Sequence, residues 1–127
     1  MPEATILIVD DQPITIQILD EILHKEYRLL FAGNGMEALD SVEDHRPDLI
    51  LLDVVMPGVD GHQVCSILKS DPATRTIPIL FLTSMNDERA AATGMQLGAA
   101  DYIVKPFDPA TVLTKVHRIL ARATPDA

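Results

Sequence analysis

Hydrophobic and polar residues follow one another along this chain in blocks. Short unbroken aliphatic runs alternate with longer stretches in which apolar residues recur every three or four positions. Unbroken aliphatic runs are typical of strands covered on both faces, and the longer stretches are typical of amphipathic helices. The chain therefore predicts strands and helices in strict alternation. The predicted strands are residues 5–9, 27–32, 49–52, 79–82 and 102–104.

Residues that start and stop helices divide the longer stretches. Pro13 stands where its missing N–H costs little, and Asn34 with Glu37 forms a capping pair. Asn86 is the expected cap of the fourth helix. The helices are predicted to begin near Pro13, Asn34, Gly61, Asn86 and Pro109, and the first to carry Ile14, Ile18, Leu19, Ile22 and Leu23 on one apolar face.

The alternation of strand and helix predicts an α/β fold with a doubly wound parallel sheet and right-handed crossovers. We expect the strand order 2-1-3-4-5, which has a switch point between the first and third strands. Ligands of such sheets bind outside the carboxyl ends of the strands at that point. The residues that end the first and third strands are therefore the first candidates for function.

Polar side chains end four of the predicted strands. Asp10 and Asp11 follow the first strand, Asp53 follows the third, Thr83 the fourth and Lys105 the fifth. Because the carboxyl ends of parallel strands meet at one edge of a sheet, we expect these side chains to share a pocket. Carboxylates suit Mg²⁺, and an ammonium and a hydroxyl suit phosphoryl oxygens. Asp53 could then act as a nucleophile that forms an aspartyl phosphate.

Composition narrows the class of protein. The chain has 127 residues, of which 47% are hydrophobic and 4% aromatic, so we expect one domain over residues 1–127 with an aliphatic core over about 5–120 and a flexible tail at 123–127. A net charge of −9 argues against nucleic-acid and anionic-membrane surfaces. The chain lacks a signal peptide, a long apolar span and a second cysteine, which together indicate a cytoplasmic protein.

Other reactive side chains show no shared spacing. The four histidines, His24, His45, His62 and His117, lie on predicted helices and are expected to face solvent. Cys65 stands between apolar neighbours, so we expect it to pack between helix and sheet as a small hydrophobic residue.

Four stretches in fixed order resemble the receiver domain of two-component response regulators, the CheY-like family. Each stretch is weak evidence alone, and the four together are specific. The resemblance covers nearly the whole chain and implies a flavodoxin-like (CheY-like) fold for a bacterial signalling phosphoprotein that is not an enzyme in the usual sense. The matching stretches are residues 8–11, 52–61, 82–84 and 98–107.

The resemblance implies a phosphorylation site. Asp53 would accept a phosphoryl group from the phosphohistidine of a sensor histidine kinase or a phosphotransfer protein. Asp10 and Asp11 would hold Mg²⁺ or Mn²⁺ together with Asp53 and the backbone carbonyl of Val55. Lys105 would contact the phosphoryl group. The expected partners also include an output domain or protein and a phosphorylation-dependent homodimer.

The resemblance also implies a switch. Thr83 would be the switch hydroxyl and Tyr102 the aromatic residue that turns inward, changing the face formed by the fourth helix, fifth strand and fifth helix. The Lys105–Pro106 bond would be cis. Val55 and Met85 stand two positions beyond the phosphoacceptor and the switch hydroxyl. Since neither can orient a water well, we expect slow loss of the phosphoryl group.

Three alternatives remain open at this point. A flavodoxin-like cofactor binder shares the topology, although acids after the first strand repel a phosphate. A haloacid-dehalogenase-like, Mg²⁺-dependent phosphatase also uses an aspartyl phosphate, but its nucleophile follows the first strand in an Asp-x-Asp pattern. A receiver-like module that binds proteins without being phosphorylated normally lacks one of the acids or the lysine.

Overall fold

Five parallel strands form one sheet: β1 (Thr5–Val9), β2 (Arg28–Ala32), β3 (Leu49–Asp53), β4 (Ile79–Ser84) and β5 (Asp101–Lys105). Their order across the sheet is β2-β1-β3-β4-β5. The structure is a computed structural model that describes residues 4–56, 58–84 and 87–123. The observed order confirms the predicted topology, with β1 and β3 adjacent at the switch point.

Helices cover both faces of the sheet. The first and fifth helices pack on one face, and the second, third and fourth pack on the other. No helix within the described ranges is long and apolar enough to cross a membrane. The helices are α1 (Pro13–Leu23), α2 (Gly35–His45), α3 (Gly61–Ser70), α4 (Glu88–Gln96) and α5 (Pro109–Ala123).

The central strands are buried on both faces, which is why their sequences are unbroken aliphatic runs. In β1, Leu7 and Val9 belong to the core under α2, α3 and α4, whereas Ile6 and Ile8 belong to the core under α1 and α5. All residues of β3 are buried. Burial on both sides leaves the carboxyl ends of these strands as the places where polar side chains can meet solvent.

The α1 helix is rotated from the predicted orientation. Its buried residues are Thr15, Leu19 and Leu23, which follow one another at intervals of four. Ile14 is 59% exposed and Ile18 is 38% exposed, so the prediction that they share the core-facing stripe is wrong. Each stands one residue before a buried position, which turns it about 100° around the helix. The apolar arc of α1 is wider than the stripe that the sheet can cover.

The capping residues agree with expectation for α2 and add a new cap for α4. The Glu37 N–H donates to Asn34 Oδ1 at 2.9 Å, as predicted. The α4 helix is capped by Asp87, whose Oδ1 accepts from the Ala90 N–H at 3.1 Å. The predicted cap, Asn86, lies outside the described residues.

Close packing of α4 on the sheet depends on Gly94 and His62. A Cβ atom at Gly94 would lie 2.5 Å from Cδ2 of buried Phe81, so only glycine lets the helix approach this closely. The His62 ring meets Phe81 edge-on at 5.3 Å between centroids, and its Nε2 lies 3.0 Å from the Ala90 carbonyl oxygen. The expectation that His62 faces solvent is therefore wrong, since it links α3 to α4.

The other predictions for reactive side chains are confirmed. The structure exposes His24, His45 and His117 and buries Cys65.

Candidate functional site

The end of β1 places two acids in different surroundings. Asp10 is completely buried, and its main-chain N–H donates to the Ala32 carbonyl at 3.1 Å. Its Oδ1 accepts from the Gln12 N–H at 2.9 Å, which fixes the turn into α1. Asp11 is exposed at the rim. The two carboxylates are therefore held by the first strand, one inside the pocket and one at its mouth.

Asp53 is the last residue of β3, and its side chain is only 9% exposed. The chain comes back beside the end of β3 at Gly61, whose N–H donates to the Val54 carbonyl at 2.9 Å. A Cβ at Gly61 would overlap the carbonyl oxygen of Asp53, so the first turn of α3 can rest on this backbone only as glycine. A capping box between Asp60 and Gln63 starts α3 at that point. This local packing holds Asp53 in place.

Lys105 reaches into the pocket from the end of β5. Its Nζ donates to Asp10 Oδ2 at 3.1 Å and lies 3.5 Å from Asp53 Oδ1. One ammonium thus serves two buried or nearly buried carboxylates. The Lys105–Pro106 bond is cis, as the resemblance implies.

The charges around Asp53 do not balance. The pKa of the Asp53 carboxyl is raised to about 6, first by burial and then by the charge of Asp10, against the opposing effect of Lys105. Asp11 adds a smaller upward effect on this pKa. The pocket therefore favours either a proton on Asp53 or an additional cation.

The donor set fits a hard divalent cation. One carboxylate oxygen from each of Asp10, Asp11 and Asp53 lies within 4.8 Å of the other two. Mg²⁺ binds oxygen ligands only and commonly takes one or two carboxylates. The three acids are therefore brought together as the strand order predicted.

Thr83 and Lys105 line the same cavity as Asp53. This cavity of about 230 Å³ is also lined by Asp11 and Asp87. Thr83 is buried, and its hydroxyl donates to the Asp87 carbonyl at a long 3.5 Å. Since such a bond is weak, the hydroxyl can be drawn to another acceptor at little cost.

Tyr102 stands beside a groove between α4 and β5. The strand register pairs it with Phe81, two residues before the level of Thr83 and Val104. The groove has a volume of about 330 Å³ and is lined by Tyr102, Thr83 and the small side chain of Ala91, among others. It offers space into which the aromatic ring could turn.

The structure describes one of the two residues that are expected to govern phosphate lifetime. The Val55 side chain is 71% exposed at the mouth of the pocket. Met85 lies outside the described residues. The role of the Val55 backbone carbonyl in binding a metal stays a prediction.

Two site residues were missed from the sequence. The sequence predicts Gly61 only as the start of a helix, because its close contact with the Asp53 backbone depends on the tertiary packing of α3. Asp87 contacts both the Thr83 hydroxyl and the first turn of α4. An acid directly before Glu88 and the alanine-rich helix is a recognised capping signal, and it could have identified Asp87.

The sheet order and the acidic pocket together define the class of CheY-like receiver domains. The family model described as response regulator receiver domain matches residues 6–117. The chain belongs to this family. It is a receiver domain of two-component response regulators, and the cofactor-binding and phosphatase alternatives are not favoured.

Three similar proteins illustrate the family. The DNA-binding response regulator MtrA of Mycolicibacterium smegmatis is 38% identical over 92% of this chain and 50% of its own length. Protein PilH of Pseudomonas aeruginosa is 37% identical over 93% of this chain and 98% of its own. The solved receiver domain of a signal transduction histidine kinase from Syntrophus aciditrophicus has a TM-score of 0.89 at 37% identity, covering 98% of this chain and 95% of that one. The chain spans about a quarter to a half of several longer relatives.

The raised pKa of Asp53 predicts how stability depends on pH in metal-free buffer. The folded protein binds a proton at Asp53 with a pKa of about 6, against 3.8 for an ordinary carboxyl. The folded state therefore holds the proton more tightly, so the contribution of Asp53 to stability falls as pH rises from about 4 to above 6. These two pKa values differ by roughly two, which corresponds to about 3 kcal/mol in the free energy of unfolding.

Asp53→Asn should remove this loss. Its free energy of unfolding in urea should exceed that of the parent at about pH 7.5 by up to about 3 kcal/mol, with the difference shrinking toward about pH 4.5. Asp40→Asn removes an exposed acid from the middle of α2 and is the matched control. A stability difference that is the same at both pH values would contradict the assignment.

Proposed function

We propose that Asp53 accepts a phosphoryl group from the phosphohistidine of a sensor histidine kinase or phosphotransfer protein. The observation that carries this proposal is the position of Asp53 at the switch point, with Lys105 Nζ at 3.5 Å and the acids of β1 within reach of the same cation. A carboxylate oxygen of Asp53 forms the new P–O bond as the P–N bond breaks, and the imidazole nitrogen keeps the bonding electrons. Catalysis of this kind is mainly positioning and charge stabilisation.

Asp10, Asp11 and Asp53 are the residues that would hold Mg²⁺, with the Val55 carbonyl as a further ligand. Bound Mg²⁺ would neutralise the negative charge that otherwise repels the incoming phosphoryl group. Asp10 is kept in position by the Gln12 N–H and by Lys105, so it needs no rearrangement. Lys105 can exchange one carboxylate for a phosphoryl oxygen because it already sits between two of them.

The same site would drive the switch. A phosphoryl group on Asp53 offers the Thr83 hydroxyl a charged acceptor that is stronger than the Asp87 carbonyl, which it meets only at 3.5 Å. Movement of Thr83 widens the groove beside α4, and Tyr102 turns into it. The change then alters the surface of α4, β5 and α5 that an output domain or partner would read.

Labelling by a small phosphodonor tests the phosphoacceptor. The parent protein with acetyl phosphate and Mg²⁺ should gain the mass of one phosphoryl group, and alkali should remove it. Asp53→Asn should fold and show no stable gain, whereas Asp40→Asn, an exposed acid outside the pocket, should label like the parent. Equal labelling of Asp53→Asn and the parent would refute the proposal, and intact-mass spectrometry gives the answer directly.

The phosphorylated state should be long-lived. Val55 exposes an apolar side chain at the pocket mouth, where a polar residue could orient the attacking water. Water positioning or general-base help is typically worth about 10²–10⁴-fold in rate. Val55→Asn should therefore shorten the half-life of the labelled protein in Mg²⁺ buffer, and Val55→Asn with Met85→Glu should shorten it more. Ile67→Asn, an exposed apolar site on α3, serves as the control. If the parent loses its label as fast as the double variant, these positions do not set the lifetime.

A further inference from the structure

Lys115 reaches around the free edge of the sheet to Tyr102. The α5 helix packs on the sheet face that carries Ile103, whereas Tyr102 packs against the core on the opposite face. Lys115 Nζ nevertheless donates to the Tyr102 carbonyl oxygen at 2.7 Å. It also lies 5.1 Å from the centroid of the Tyr102 ring. One side chain of α5 therefore contacts both the backbone and the ring of a residue on the other face.

The backbone of Tyr102 is closed off by an ion pair. Its N–H donates to Asp101 Oδ1 at 2.8 Å, and the same oxygen lies 3.3 Å from Lys115 Nζ. Since β5 is an edge strand, these two main-chain groups would otherwise face solvent. The carboxylate satisfies the donor and the ammonium satisfies the acceptor. Asp101, Tyr102 and Lys115 therefore each contact the other two, and we call this set of contacts the edge clamp.

The ring of Tyr102 has an alternative place to go. The groove of about 330 Å³ beside Thr83 and Ala91 is also lined by Tyr102. An ammonium held near an aromatic ring attracts it, and an apolar groove offers the ring burial instead. The orientation of Tyr102 thus depends on a competition between the edge clamp and the groove.

We propose that Lys115 is a positioning residue that holds Tyr102 at the sheet edge and opposes its inward turn. The proposal deepens the proposed function, because it rests on Tyr102 being the residue that turns. The cation keeps the resting state populated, and phosphorylation has to overcome it. The known strength of such cation–ring contacts at partly exposed sites corresponds to a change of about two- to fivefold in population.

The test measures the orientation of the Tyr102 ring without any phosphodonor. The chain has two tyrosines, so ring-¹³C-labelled tyrosine gives few signals, and Tyr27→Phe assigns them. Three-bond couplings report the side-chain rotamer, and nuclear Overhauser contacts to the Ala91 methyl report the inward position. The variants are Lys115→Met, which keeps an apolar stem, Lys115→Gln, which keeps a donor, and Lys115→Arg, which keeps the cation.

Lys115→Met and Lys115→Gln should raise the inward population of Tyr102 about two- to fivefold, and Lys115→Arg should restore the parent value. Arg118→Met removes the same charge from an exposed position one turn later on α5 and should leave the population unchanged. Unchanged rotamers in a folded Lys115→Met or Lys115→Gln protein would overturn the proposal, as would an equal change in Arg118→Met. Because no phosphoryl group is transferred, a negative result here is separate from a failure of labelling at Asp53.

Discussion

Repulsion among three carboxylates at the end of β1 and β3 is the constraint on which the rest of the site depends. Asp10 is fully buried, Asp53 nearly so, and Lys105 supplies one positive charge between them. Burial first and the charge of Asp10 second raise the pKa of Asp53 to about 6, because the single ammonium of Lys105 does not offset them. The folded protein therefore carries an uncompensated charge at its switch point. Such a pocket can bind a cation and, after it, a phosphoryl group.

The fold holds these carboxylates together because the backbone that carries them is buried. The β3 strand is buried throughout, and Gly61 lets α3 rest on the Asp53 backbone. The parts that would respond to phosphorylation are held more weakly. Among the described residues the Thr83 hydroxyl has one hydrogen bond, which is long, and Tyr102 is held at the sheet edge by contacts with partly exposed side chains. The rigid acidic pocket and the more weakly held residues that would respond to phosphorylation thus lie on neighbouring strands of one sheet.

Much of the site could be predicted because strand ends are a local property of the sequence. Apolar runs that stop at an acid, a threonine or a lysine, combined with the strand order, place these residues in one pocket. The rotation of α1 was not predictable in this way, since Ile14 and Ile18 extend an apolar arc that exceeds the stripe the sheet can cover. The link from Lys115 to Tyr102 was also hidden, because a contact around a sheet edge has no sequence period. His62 was misplaced for the same reason, as its partners lie on other elements.

The response of stability to Mg²⁺ tests the charge account most directly. Urea unfolding of the parent at about pH 7.5 should show a gain with added Mg²⁺, of about 1.4 kcal/mol when the ion is at roughly ten times its dissociation constant. Asp11→Asn removes one of the three carboxylates and should lose most of that gain, whereas Asp40→Asn removes an equal charge from α2 and should keep it. A parent that gains nothing from Mg²⁺, or an Asp11→Asn protein that gains as much as the parent, would contradict the account.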